Sequence, residues 1–187
     1  MREYRIIIEG TSPLLQHRYI FKDELAASTT KKSGSTDYSE EWKKACYWDK
    51  EVGLYQPATH IEGALIKAAA NFQITGRSKK TYKDLVKSAV FAQPEYIPFG
   101  FGKKSPDDLL AKGLIQIHKA AVVVQRNRVE RLRPMLPAEW KLTFTLQVLD
   151  DQLPKDALKE ILDYAGRFVG IGDWRPRYGR FLVSKFV

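Results

Sequence analysis

An α+β fold built on an antiparallel sheet is predicted for this chain, from three observations. Residues 140–148 alternate Trp140, Leu142, Phe144, Leu146 and Val148 with Lys141, Thr143, Thr145 and Gln147, the period-two pattern of a half-buried strand. Two other stretches, near 59–72 and 154–168, instead repeat their apolar residues every 3.6 positions. With the loops and extra helices removed, the remaining order is strand, helix, strand, strand, helix, strand. That is the split βαβ, or ferredoxin-like, βαββαβ arrangement, in which two helices cross one face of a four-stranded antiparallel sheet.

The elements follow in order. Residues 4–9 are short and β-branched and end at Gly10 and Pro13, which marks a first strand. Residues 26–36, Ala-Ala-Ser-Thr-Thr-Lys-Lys-Ser-Gly-Ser-Thr, cannot bury a core and are expected to be a mobile loop. Residues 37–48 place Tyr38, Trp42, Ala45 and Cys46 on one side of a helix, with Asp37 or Ser39 to cap it. Thr59 and Glu62 have the spacing of a capping box, and Ile61, Leu65, Ala68, Ala69 and Phe72 continue as the apolar face of that helix. A further helix is predicted over 81–93, stopped by Pro94, followed by a loop at 99–106. Residues 114–125 read as a strand, buried at Val122, Val123 and Val124. Pro154 opens the last helix, with Ala157, Leu158, Ile161, Leu162 and Ala165 as its stripe, and 181–187 close the chain as a strand. The expected core is Ile6, Ile8, Leu65, Phe72, Ile117, Leu142, Phe144, Leu146, Ile161 and Phe168. By length, 1–187 form a single domain, with 10–58 and 74–113 as insertions where binding surfaces are expected.

Charge narrows the class of partner. A formal net charge of +9 on an ordinarily apolar chain (44% hydrophobic, 12% aromatic) points to a polyanion, nucleic acid or anionic lipid. No apolar run is long enough to span a bilayer, and the N-terminus lacks the layout of a signal peptide, so no membrane association and a cytoplasmic location are expected. The single cysteine, Cys46, excludes an intrachain disulfide and suits a reducing compartment; its aromatic surroundings make it a small buried hydrophobe. His17, His60 and His118 have no zinc-ligand spacing, so neither a metal nor another cofactor is expected.

Two stretches carry the functional reading. Residues 166–181 hold Gly170, Gly172 and Gly179 among Arg167, Arg175, Arg177 and Arg180, with Trp174 and Tyr178 beside them. Glycine allows positive φ and close backbone approach, arginine offers a forked donor to phosphate, and the two rings offer stacking surface. Residues 126–133 carry Arg126, Arg128, Arg131 and Arg133 against one acid, Glu130, between two predicted strands, where a hairpin can project as a finger. The paired lysines Lys31, Lys32, Lys79, Lys80, Lys103 and Lys104 read as general electrostatic attraction.

Three stretches resemble the RAMP superfamily, the RRM-like proteins of CRISPR systems, and most of all the backbone subunits that line guide RNA. The opening strand and its exit, Ile6-Ile-Ile-Glu-Gly-Thr-Ser-Pro-Leu14, are similar to the strand that starts those proteins. Tyr55-Gln-Pro-Ala-Thr-His-Ile-Glu-Gly-Ala-Leu65 is similar to their Pro-Gly-Ser-Ser-x-Lys-Gly-x-x-Arg approach to the first helix. Gly170-Ile-Gly-Asp-Trp-Arg-Pro-Arg-Tyr-Gly-Arg-Phe181 is similar to their glycine-rich loop. The chain departs from the pattern where the family lysine is Glu62 and the family arginine falls at or near Lys67. It departs again where Asp173, Trp174 and Pro176 replace glycine and arginine.

The resemblance implies a subunit that binds the sugar-phosphate backbone of single-stranded guide RNA, several copies lying head to tail, with other effector subunits as further partners. The binding residues it implies, together with the charge pattern, are Lys67, Arg126, Arg128, Arg131, Arg133, Gly170, Gly172, Trp174, Arg175, Arg177, Tyr178, Gly179 and Arg180. Two alternatives stay open. One is a metal-independent, guide-processing endoribonuclease of the same superfamily, for which His17 as general base, with Asp23 or Asp37 as a loop acid, are the candidate catalytic residues. The other is a stand-alone single-stranded DNA binder of a phage or mobile element.

Overall fold

Strand β1 (Arg2–Gly10) turns Tyr4, Ile6 and Ile8 inward and leaves Glu3, Arg5 and Ile7 on its outer side, as its alternating sequence requires. The structure, a computed structural model, describes residues 1–20, 40–77, 79–124 and 126–187. After β1 come β2 (Leu14–Leu15), α1 (Glu41–Ala45), β3 (Trp48–Asp49), β4 (Gly53–Pro57) and α2 (Ala58–Ala69). The middle of the chain forms α3 (Lys83–Ala89), β5 (Val90–Gln93), β6 (Tyr96–Pro98), α4 (Pro106–Ala111), β7 (Gln116–Val124) and β8 (Asn127–Leu136). It closes with β9 (Lys141–Val148), α5 (Lys155–Tyr164), a π-helical turn (Ala165–Val169) and β10 (Phe181–Phe186).

The protein is α+β, with antiparallel pairing in every sheet. The largest sheet has four strands in the order β10-β1-β9-β5. Ile6 stands opposite Phe144 and Ile8 opposite Leu142, so the inward residues of β1 and β9 share one face. Helices α2 and α5 cover that face with Ile61, Leu65, Leu158, Ile161 and Leu162, and these residues with the strands form one buried cluster. The opposite face carries polar pairs beside the exposed Phe91 and Leu182: Lys141 Nζ lies 3.1 Å from Glu9, and Gln147 donates to Glu3 at 2.9 Å. Two three-stranded sheets, β2-β8-β7 and β3-β4-β6, extend the body.

Several expectations are corrected. The second strand of the large sheet is β5, which the sequence places at the end of a helix over 81–93. The helix stops at Ala89, and residues 90–93 pair with β9, Val90 opposite Val148 and Ala92 opposite Leu146. Without them the free edge of β9 would carry unpaired backbone groups; the pairing outweighs helical propensity. Residues 116–124, expected in the large sheet, form a long hairpin with β8 instead. Val123 there is 70% exposed rather than buried, and Ile117 only partly buried. Phe168, expected in the core, is 61% exposed, and Phe72 lies at its margin.

The Thr59–Glu62 capping box does not form. Pro57 occupies the N-cap of α2 without a side-chain bond, and the Glu62 carboxylate accepts from the backbone N–H of Ala92 at 3.0 Å, joining helix to strand. A capping box occurs instead at Ser105 and Asp108, opening α4 where part of the expected loop lies. Helix α1 is a single short turn of the expected helix, with Trp42, Ala45 and Cys46 buried as predicted. Burial pushes the Cys46 thiol up to about 12, so it is inert. The loop at 26–36, its lysines Lys31 and Lys32, and Asp23, Asp37, Tyr38 and Ser39 lie outside the described residues.

Candidate nucleic-acid interface

The π-helical turn delivers the chain into the glycine-rich loop, whose backbone is sewn to the exit of β1. Asp173 N–H donates to Leu15 O at 2.9 Å and Gly179 N–H to Pro13 O at 2.8 Å. Arg180 N–H donates to Ser12 Oγ at 2.9 Å, while Thr11 N–H donates to Arg180 O at 2.8 Å. Trp140 Nε1–H fixes the other side of Ser12 through its carbonyl at 2.9 Å. Such close approach is why glycine is needed. Gly172 and Gly179 have φ of +79° and +74°, and a Cβ would collide with the Leu15 carbonyl at the first and the Ile171 carbonyl at the second.

The seated backbone turns its side chains outward. Arg175, Arg177 and Arg180 are exposed, and Trp174, held at φ +52°, is 38% exposed. Tyr178 is half-buried. Its hydroxyl lies 3.1 Å from His118 Nε2, and the imidazole stands edge-on to Trp174 at 5.4 Å between ring centres. His118 belongs to β7, where it faces Arg133 of β8 in register.

The hairpin and the glycine-rich loop therefore meet, although some forty residues separate them. Arg133 Nε lies 3.3 Å from Asp173 Oδ2, and its Nη1 lies 3.4 Å from Glu41 Oε1. Arg131 reaches the same Glu41 oxygen at 3.1 Å, and the other oxygen accepts from Leu132 N–H at 3.3 Å. Arg133 is buried and its charge is neutralised from two sides; Arg131 is ion-paired as well. These two arginines build the hairpin base. Arg126 and Arg128, near the tip, are exposed, as is Lys67 on the last turn of α2. Among the predicted binding residues, Arg175, Arg177, Arg180, Arg126, Arg128 and Lys67 present their charge to solvent.

A polar hydrogen-bond network around buried Gln16 and Gln56 flanks the loop. Buried Gln16 donates to Tyr55 O at 2.8 Å and accepts from Tyr47 N–H at 3.0 Å. His60 is hydrogen-bonded to Gln56, and Tyr47 sets its ring edge against His60 at 5.3 Å. Burial first, and the positive charge of Arg175 second, push His60 down to about 4. His17 stands across Tyr47, whose hydroxyl donates to the His17 carbonyl at 3.3 Å. Its Nδ1 lies 3.6 Å from Asp173, yet burial and the nearby Arg133 charge lower its pKa. The neutral imidazole therefore dominates near pH 7.

Three residues of this site escaped the sequence: Glu41, Asp173 and His118. Asp173 was visible only as an acid inside a basic loop; Glu41 and His118 carried no signal beyond residue type. Among the described residues, no three His, Cys, Asp or Glu converge as a metal would require. No helix of the described chain is long and apolar enough to cross a membrane. No protein-family model matches the chain, and no curated protein is significantly similar to it in sequence.

Proposed function

We propose that this protein is a single-stranded RNA-binding subunit that grips the sugar-phosphate backbone through its glycine-rich loop and arginine-bearing hairpin. One observation carries the reading: the two basic stretches, distant in sequence, adjoin through Arg133–Asp173 and His118–Tyr178, with Arg175, Arg177 and Arg180 outward on a pinned backbone. Rigid presentation lowers the ordering penalty of binding. The order β10-β1-β9-β5 with α2 and α5 across one face supports a ferredoxin-like βαββαβ plate. The loop and hairpin, rather than the outer face with its Lys141–Glu9 and Gln147–Glu3 pairs beside Phe91, carry the contact. On this reading the resemblance to CRISPR backbone subunits extends to a cytoplasmic, head-to-tail assembly on guide RNA, alongside other effector subunits.

The test is fluorescence anisotropy with single strands at rising salt. Wild type binds RNA at low ionic strength, binding weakens with salt, and replacing Arg175, Arg177 and Arg180 together with alanine removes most of it. A matched DNA strand competes poorly if the 2′-hydroxyl is read. Native mass on strands of increasing length gives complexes that grow by whole subunits. A purified chain that ignores oligonucleotides at low salt overturns the proposal.

A second reading rests on the His17–Asp173 approach of 3.6 Å, which gives His17 the carboxylate neighbour a general base uses. In that case the protein cuts a guide-repeat hairpin, and His17→Ala abolishes cleavage while leaving binding intact. Wild type that never cuts removes this reading.

A further inference from the structure

Behind the exposed arginines, three rings from two elements converge. Trp174 and Tyr178 come from the loop, their ring centres 6.3 Å apart, and His118 from β7 lies 5.4 Å from the first and 5.5 Å from the second. Two features set this cluster apart from ordinary packing. Trp174 is a bulky residue in the left-handed region, φ +52°, where such a side chain is strained, and it remains 38% exposed. His118 Nδ1 is shut away from solvent and has no hydrogen-bond partner among the described residues, although Nε2 is engaged by Tyr178. Asp173 holds the strained residue in place: its carboxylate accepts from Trp174 N–H at 3.0 Å while Arg133 binds the same carboxylate.

Resting on the single-strand reading above, we propose that His118, Trp174 and Tyr178 form a slot for one unstacked nucleobase. Trp174 swings off the imidazole to become the stacking face, and His118 reads the base edge. Assigning the Tyr178 hydroxyl as donor to Nε2 puts the imidazole hydrogen on Nδ1, and uncovering Nδ1 gives the slot one N–H donor. A donor fits a keto oxygen, O4 of uracil or O6 of guanine, and opposes the amino group that cytosine or adenine carries there. The slot therefore selects keto over amino bases. The partner is a strand whose bases are splayed rather than stacked.

Equal-length oligo(U) and oligo(C) at neutral pH provide the test, read as dissociation constants. Wild type binds oligo(U) about fivefold more tightly, the worth of one hydrogen bond. His118→Ala brings the ratio to about one. Tyr178→Phe keeps all three rings, frees the tautomer and reduces the preference. Trp174→Ala weakens both ligands by about tenfold, as loss of base stacking does. Equal binding of the two strands by wild type, or a preference that survives in both the His118 and Tyr178 variants, overturns the slot and leaves backbone binding standing. Failure of wild type to bind either strand overturns the backbone reading and the slot with it.

Discussion

The Arg133 guanidinium lies between the carboxylates of Asp173 and Glu41, at 3.3 and 3.4 Å, so one buried cation ties the hairpin to both the glycine-rich loop and α1. Its removal leaves two acids facing each other with reduced compensation. Arg133→Ala is expected to lower stability by about 3 kcal/mol in urea denaturation, since breaking a buried pair strands the remaining charges. A loss below about 1 kcal/mol, the value of an ordinary surface pair, would show that the cation is not a tie.

Exposed hairpin-tip arginines behave differently. Arg126 and Arg128 are solvent-facing, so the double alanine variant leaves stability within about 0.5 kcal/mol of wild type. If each neutralises one phosphate, the slope of log affinity against log salt becomes shallower by about 1.4, at roughly 0.7 for each contact on a single strand. An unchanged slope means the tip does not touch the strand.

Gly179→Ala tests the seating of the loop. The residue has φ +74°, and a Cβ there would strike the Ile171 carbonyl, so both backbone strain and a steric clash oppose the change. We expect a loss of about 2–4 kcal/mol, together with loss of RNA binding, because the loop that presents the arginines is displaced. Gly63→Ala, in the exposed middle of α2 with open space around the new methyl, is the control and is expected to be neutral or mildly stabilising.

His60 sets a pH dependence. Its pKa is held at about 4 in the fold against 6.5 for an unperturbed imidazole, so between those values the unfolded chain binds the additional proton. The associated stability is present above pH 6.5 and is lost as pH falls toward 4. Across that window the loss amounts to about 3 kcal/mol, and His17, lowered in the same direction, adds to it. His60→Gln flattens the stability profile between pH 4 and 6.5; a profile as steep as wild type would assign the dependence to other groups.

How much of this was legible follows from the range of the forces involved. Strands β1 and β9 and the apolar stripes of α2 and α5 were visible because burial on one face prints a period into neighbouring residues. Strand β5 was not: four residues contiguous with a helix show no period, and only the vacant edge of β9 makes them extended. Val122 and Val123 misled because strand-forming residues look alike in a buried sheet and in a projecting hairpin. At the site, glycines and exposed arginines advertised the loop through composition alone. The division of the hairpin arginines into structural and outward-facing members could not be read, because it depends on Glu41 and Asp173, each about forty or more residues distant. Glu62 shows the same limit: the spacing fits a local cap, while the carboxylate is used across space on Ala92.

The glycine-rich loop rests on residues 11–15, and the hydrogen bond from Arg180 to Ser12 closes a separation of 168 positions. During synthesis the cradle for that loop emerges well before its occupant. A nascent chain that has not reached residue 170 has neither β10 along β1 nor Arg175, Arg177 and Arg180, so on the proposed reading the binding surface is assembled only when β10 docks. Contacts of such long sequence separation also form slowly, which separates translation from the moment the loop is seated.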